Sequence, residues 1–455
     1  MGCAFCFWGS IKMNILIVGN GFDLSHYLPT KYDHFMDVMT AIEASESESM
    51  SFDELFSKCR EDWFIAKTKQ YYLTENIVLD KEQLSKIRNS LTENSWYQYF
   101  KNHVREIKTW IDFEQKIEEV LKVISTFVSR IETIISERGL SSEEIGFGED
   151  VSLGQIFLTR EYCNILELLK IIKSGYYAQR EFEDDELGIY YQVVEVEYDT
   201  EEDQDFKFHI ENDYVFYQNR TYKVKTDKII SNLHQKLEDF IEIFNLYLSL
   251  VVDQLKPKYE YKILNENWEI PNHIFSFNYT NTFRKFYKNE IKVEYLHGKC
   301  GGKQNIVLGI SDIKGEGLIN LKAYGFTKYH QKLFKDTDYL FLDEGSPVME
   351  RIKSSRNLAR WEDTNILIWG HSLDSSDREY ITSIFGLNDK KDLGVRVVIF
   401  FFNSQAKFAL LNNLLAILGK DKVEQWMKKG WLKFEPNPKI DFGVQEESEP
   451  KLEAS

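Results

Sequence analysis

Four short stretches bring together side chains able to do chemistry. Gly19-Asn20-Gly21-Phe22-Asp23 sets two glycines and an acid directly after an apolar run; Ser276-Phe277-Asn278-Tyr279-Thr280, His297-Gly298 and Gly370-His371-Ser372-Leu373-Asp374 with Asp377 follow far downstream. Two glycines let the backbone turn tightly and approach a ligand with no Cβ in the way. The carboxyl end of a buried strand is where open α/β sheets bind nucleotides. The first stretch therefore suggests a nucleotide-type site. It is not a dehydrogenase fingerprint: Leu24 stands at the third glycine position, and no second buried strand ending in an acid follows about 20 residues on. Gly370 and then Ser372 leave room for a ribose or an adenine. Each cluster also has a purely structural reading. Asn278 or Thr280 would cap a following helix, His297 would be a satisfied turn histidine, and Asp374 and Asp377 would open a helix, with capping the favoured role for Asp377. Asp23 either bonds back to the glycine turn or faces a ligand hydroxyl. The repetition of the pattern at four strand ends is the stronger signal.

The elements that must position these residues alternate between two periods. Asn14-Ile15-Leu16-Ile17-Val18 reads as a strand buried on both faces. From about residue 270, short apolar strands at His273–Phe277, Ile291–Leu296, Asn305–Ile310, Asn365–Trp369, Val395–Phe402 and Trp431–Phe434 alternate with helical stretches at Thr282–Asn289, Ser376–Phe385, Gln405–Leu418 and Lys422–Lys429. Such alternation predicts an α/β fold with a parallel sheet and helices on its faces, built from residues 13–35 and 270–440. Residues 36–269 then form a large, mostly helical insertion. Its helices include Asp112–Ser136, where Asp112 and Gln115 resemble a capping-box start. A small antiparallel β unit near residues 188–224 surrounds the acidic loop at Glu201-Glu202-Asp203. Residues 441–455 read as a loose charged tail.

Bulk properties narrow the function. The 455-residue chain has 73 acids against 56 bases, a net charge of −17, which argues against a broad nucleic-acid surface. Aromatics make up 15% and proline only 7 residues, the composition of an ordered chain. Cys3, Cys6, Cys59, Cys163 and Cys300 are scattered and odd in number, as in a cytoplasmic protein with reduced thiols. No apolar run approaches the ~18 residues of a transmembrane helix, so no membrane contact is expected. Residues 1–12 lack the design of a signal peptide, and Met13 is expected to be the natural start.

Taken together, Gly19-Asn20-Gly21-Phe22-Asp23-Leu24 with Leu28-Pro29-Thr30, Phe277-Asn278-Tyr279-Thr280, His297-Gly298 and Gly370-His371-Ser372-Leu373-Asp374 with Asp377 resemble the AbiH family of bacteriophage abortive-infection proteins over residues 13 to about 385. Trp110-Ile111-Asp112-Phe113-Glu114 resembles a further element of that family. The pattern is also distantly similar to sirtuin-type NAD sites. That resemblance implies a Rossmann-like, sirtuin-like sheet with Gly19, Asn20, Gly21 and Asp23 on the pyrophosphate loop, Asn278 and Thr280 by the nicotinamide ribose, His297 as catalytic base, and Gly370, Ser372 and Asp374 by the adenosine ribose. Thr280 departs from the sirtuin pattern, which has Asp there, and no paired zinc module follows His297. The implied reaction is therefore NAD+ hydrolysis, with NAD+ as substrate or ligand, no metal, a nucleotide ligand, room for a phage-derived trigger protein and a homo-oligomer as in assembling defence NADases. Two alternatives stay open: a metal-dependent nuclease or nucleotide-processing effector with Asp23, Asp374 and Asp377 as ligands, and a non-catalytic sensor.

Overall fold

The computed structural model describes residues 13–443 apart from 104–105, 108, 139–158, 175–176, 185–187, 196–207, 219–220, 266–267, 288–289, 338–340, 344, 358–363 and 390–392. The expected extension at 1–12, the acidic loop at 201–203 and the end of the charged tail lie outside those residues.

Six strands make one parallel sheet: β1 (Met13–Val18), β2 (His273–Ser276), β3 (Val293–Tyr295), β4 (Thr364–Trp369), β5 (Val395–Phe401) and β6 (Leu432–Pro436). They lie in the order β3-β2-β1-β4-β5-β6, with every neighbouring pair parallel. The chain thus builds outward from β1 to one edge, returns, and builds outward to the other. The order reverses between β1 and β4, where Ile15 pairs with Ile366 and Val18 with Trp369.

The unbroken apolar run of β1 follows from its central place. All six of its residues are buried, and side chains alternate across the pleat. Ile15 and Ile17 pack with Phe275, Ile366, Ile368, Val397 and Ile399, whereas Leu16 and Val18 pack with Ile274, Trp369 and Phe400. Helices cover both faces. The first core takes Ile381, Ile384 and Phe385 from the helix Arg378–Gly386, Leu410 and Leu414 from Ser404–Leu418, and Trp426 from Lys420–Lys428. The second takes Phe22 from Asn20–Ser25 and Phe283 from Thr282–Tyr287. We number the helices beside the site α1 (Asn20–Ser25), α2 (Tyr32–Ala44), α3 (Thr282–Tyr287) and α4 (Arg378–Gly386).

The chain divides into two units: Met1–Ser85, Phe244–Val307 and Gln331–Ser455, which holds the sheet, and Lys86–Ile243 with Leu308–His330. Residues 36–85 and 244–269 group with the sheet. The Phe35 ring of α2 packs on Phe244 and Tyr247, at 5.2 and 5.5 Å between centroids. The second unit carries the helices Ser95–Asn102, Trp110–Arg138 and Arg160–Leu168. In its core the Phe113 ring lies 4.2 Å from Phe100 and 5.3 Å from Phe240, and Lys328 pairs with Glu114 at 2.8 Å, both nearly buried. The strand-like segments of this region form separate antiparallel hairpins, Tyr177–Asp184 with Gly188–Glu195 and Val215–Gln218 with Thr221–Val224.

Two local readings are corrected. The long helix starts at Trp110, and Thr109 caps it: its hydroxyl accepts from the Asp112 N–H, and the Asp112 carboxylate accepts from the Thr109 N–H at 2.8 Å. Asp112 is thus the third-residue acid of the box and not its cap, because an acid there reaches back to the cap's own N–H. Asn305–Ile310 is no strand. Its apolar side chains Ile306 and Val307 are buried, but its backbone closes on the preceding turn, with the Asn305 N–H donating to Lys299 O and the Val307 N–H to His297 O at 2.9 Å.

Candidate active site at the carboxyl edge of the sheet

The glycine turn after β1 and the turn after β4 are knitted together by their backbones. The Gly19 N–H donates to Trp369 O at 3.0 Å, the Gly21 N–H to Gly370 O at 2.8 Å and the Phe22 N–H to Gly19 O at 2.8 Å. Gly370 has φ of +74°, and a Cβ there would lie 2.1 Å from the Phe22 nitrogen. A Cβ on Gly19 or Gly21 would fall 2.6–2.7 Å from the backbone of His371 or Gly370. These glycines let two strand ends touch where the strand order reverses, and the N–H groups of Gly19 and Gly21 are engaged within the protein. Asn20 closes the turn on the Leu28-Pro29-Thr30 segment: its Oδ1 accepts from the Thr30 hydroxyl at 2.6 Å.

Asn278 reaches back across the sheet end to this turn. Its Nδ2 donates to Gly19 O at 2.9 Å, so it fastens β2 to β1 and does not cap α3. Asp23, on α1, is 1% exposed. One carboxylate oxygen, Oδ2, accepts from the Thr280 hydroxyl, which in turn accepts from the Thr282 hydroxyl at 3.1 Å. The other, Oδ1, is buried beside the Asn278 amide. Burial pushes the Asp23 carboxyl up to about 6, against the Thr280 and Thr282 hydroxyls, the Asn278 amide and the Lys285 charge, which favour ionisation.

His297 follows β3 on a turn that needs Gly298, whose φ is +77° and where a Cβ would run into Asn305 O. His297 Nε2 lies 3.3 Å from Asp377 Oδ1, and His371 Nε2 lies 3.3 Å from Asp377 Oδ2. One carboxylate thus stands between two imidazoles, and all three residues are buried. Asp377 was expected to cap α4; it stands at that position without capping, because its carboxylate faces the histidines. Leu373 sits in the left-handed region at φ of +54°, a conformation that costs a non-glycine residue of order 1 kcal/mol. There its N–H donates to His371 Nδ1 at 2.9 Å. A neutral His371 therefore carries its proton on Nε2, toward Asp377.

The floor of this cluster is aromatic. The Phe277 ring lies 4.2 Å from His371 and 5.1 Å from His297, and Tyr380 lies 5.0 Å from Phe277. The Tyr380 hydroxyl accepts from Lys332, whose Nζ also stands 4.4 Å from the ring centroid.

Of the residues singled out from sequence, Gly19, Asn20, Gly21, Asp23, Asn278 and Thr280 meet at the ends of β1 and β2, and His297 joins Asp377 and His371. Gly370 belongs to the knitted turn. Ser372 is exposed, and its carbonyl accepts from Asn413; Asp374 caps the short turn Ser375–Asp377 by accepting from the Ser376 N–H at 2.9 Å. Neither reaches the histidines. Asp23, Asp374 and Asp377 keep separate partners, and among the described residues no three His, Cys, Asp or Glu side chains converge to hold a metal ion. Tyr380 and Lys332 went unnoticed in the sequence. Tyr380 was legible in principle, three residues after Asp377 and so on the same side of the helix start. Lys332 carries no local mark.

Fold and site together define an α/β protein with its candidate chemistry at the carboxyl ends of a parallel sheet. The family model described as bacteriophage abortive infection AbiH matches residues 15–401, and the chain belongs to that family. No curated protein and no solved structure matches the chain. Among the described residues, no helix is long and apolar enough to cross a membrane.

Proposed function

We propose that this protein is a cytoplasmic abortive-infection effector that hydrolyses NAD+ in a Rossmann-like, sirtuin-like cleft, depleting the infected cell. The observation that carries the reading is the placement of His297 and His371 on the two oxygens of the buried Asp377, beside the point where strand order reverses. Open α/β sheets bind nucleotides at that point, outside the carboxyl ends of the strands.

The proposed reaction breaks the bond from the nicotinamide nitrogen to the ribose. The bonding electrons leave with nicotinamide, the ribose passes through an oxocarbenium-like state, and water adds to that carbon. His297 takes the proton of the water, and the Asp377 carboxylate stabilises the imidazolium that forms. Products are nicotinamide, ADP-ribose and one proton. Asn278, fixed by its bond to Gly19 O, holds the water in line. Gly19, Asn20, Gly21, Asp23, Thr280, Gly370, Ser372 and Asp374 line the nucleotide side in this reading. A general base of this kind contributes about 10²–10⁴-fold.

The test is purified protein with NAD+, followed for free nicotinamide, beside His297→Ala and Asn278→Ala and with EDTA present. The expected result is release by the wild type, a loss of at least about 10²-fold in His297→Ala, and no effect of EDTA. Wild-type protein that binds NAD+ but releases nothing, even with phage lysate added, overturns the hydrolase.

A further inference from the structure

Two imidazoles face one carboxylate at the end of the sheet, and the chemistry assigned to His297 leaves His371 without a task. The two rings are held differently. His371 follows β4 in the knitted turn, where the backbone is fixed: Gly370 O accepts from the Gly21 N–H at 2.8 Å, and a Cβ on Gly19 would lie 2.6 Å from His371 Cα. Its ring is engaged at both nitrogens. Nδ1 accepts from the Leu373 N–H at 2.9 Å, and Nε2 lies 3.3 Å from Asp377 Oδ2. The Phe277 ring packs against it, 4.2 Å away between centroids. The Leu373 N–H occupies the Nδ1 lone pair and Nε2 carries the proton, so neither nitrogen can take a proton from a substrate. This bond is kept although Leu373 must sit at φ of +54°, a strain retained only where the surrounding structure imposes it. Asp377 needs a fixed partner. It stands at the N-cap position of α4, where a carboxylate ordinarily turns to the helix N–H groups, yet it makes no capping bond. His297, its other neighbour, comes from the short edge strand β3.

We propose that His371 is a positioning residue: locked by the Leu373 N–H, it presents its Nε2–H to Asp377 Oδ2, keeps the carboxylate off the helix start and so turns Oδ1 to His297. His297 then keeps its own proton on Nε2, the nitrogen 3.3 Å from Oδ1. The proposal rests on the reading of His297 as the base of a nucleotide cleavage and separates the work of two histidines: one takes the proton, the other only aims the carboxylate.

Proton–nitrogen correlation spectra of the full chain with isotope-labelled histidine, recorded at about pH 8, read which ring nitrogen carries each proton and need no turnover; His297→Ala and His371→Gln assign the two signals. In the wild type both rings should carry the proton on Nε2. In His371→Phe, which keeps the bulk and removes the donor, His297 should shift to a mixture of tautomers. In His371→Gln, whose amide places an N–H where Nε2 stood, His297 should return to the Nε2–H form. A His297 tautomer that is the same in His371→Phe as in the wild type overturns the proposal. Should His371→Phe not fold, the other two proteins still decide: a wild-type His371 with its proton on Nδ1, or a His297 tautomer lost in His371→Gln, overturns it. Turnover gives a second readout. Nicotinamide release should fall about tenfold to a hundredfold in kcat in His371→Phe with KM kept, the loss of one charge-assisted hydrogen bond, and His371→Gln should recover most of it. An active wild type matched in kcat by His371→Phe overturns the positioning role. The expected tautomers in a wild type that releases no nicotinamide keep the role of His371 and remove the hydrolase.

Discussion

Replacing Asp23 by Asn should change how the stability of this protein depends on pH. Burial pushes the Asp23 carboxyl from its ordinary 3.8 up to about 6. Below about pH 3.8 the folded and unfolded chains both hold the proton, and the favourable contribution is complete. Between 3.8 and about 6 the unfolded chain has lost the proton that the folded chain keeps, so each rise in pH weakens the fold. Above about 6 both are ionised and the contribution is gone. A difference of about 2 pK units at 1.36 kcal/mol each amounts to about 3 kcal/mol. Asparagine has no proton to lose and lacks this slope. Its amide brings a new buried donor, but that cost is the same at every pH and cancels when pH values are compared. Asp37, also raised to about 6 by burial, is present in both proteins and cancels as well. Urea unfolding of wild type and Asp23→Asn at several pH values from 4 to 7.5 measures the difference. Wild type should lose about 2.4 kcal/mol of that relative to the variant across that range. Parallel curves, with a constant offset, would refute the claim that burial raises the Asp23 carboxyl above its ordinary range.

Substitutions at three further places probe the frame. Ile17→Ala, at the centre of β1 and 1% exposed, should lose about 2–5 kcal/mol of stability in chemical denaturation, and a loss under 1 kcal/mol would contradict its place in the core. Gly370→Ala adds a Cβ 2.1 Å from the Phe22 nitrogen at φ of +74°; the knitted turn should open, seen as soluble yield lost or the melting midpoint lowered, whereas Ser372→Ala on the same loop should leave both unchanged. Lys328→Met removes the cation 2.8 Å from the nearly buried Glu114 carboxylate and should lower stability, with part of the loss recovered in Lys328→Met with Glu114→Leu; equal losses in the single and double variants would show that the pair is not the cause.

How much was legible in the sequence depended on whether the signal was local. β1 was readable because an unbroken apolar run with glycine after it has few alternatives to a doubly buried strand, and the alternation after residue 270 gave the parallel sheet. Asn305–Ile310 misled because burial alone resembles a strand, while the choice between ladder and turn was made by Lys299 and His297, which the run itself does not show. The site was legible as a set of strand ends and opaque as a set of contacts. Asp377 stands at the helix start where an acid usually caps, and only the approach of two turns from β3 and β4 gives its carboxylate other work. The glycines at 19, 21 and 370 announced a close approach, yet not that backbone would approach backbone. The Glu114–Lys328 pair joins residues more than 200 positions apart (328 − 114 = 214), beyond any periodicity argument.

The central claim is that Asp377 holds His297 as the base that cleaves a nucleotide. It is tested most directly by the rate of nicotinamide release from NAD+ by Asp377→Asn, with folding verified by circular dichroism. Asparagine keeps the size of the side chain but gives one face a donor, so one imidazole must turn or change tautomer, and no negative charge remains to stabilise imidazolium. The expected result is a fall of about 10²–10⁴-fold in kcat with the affinity for NAD+ retained. A rate within about twofold of wild type, well inside the effect of a single catalytic contact, would contradict it.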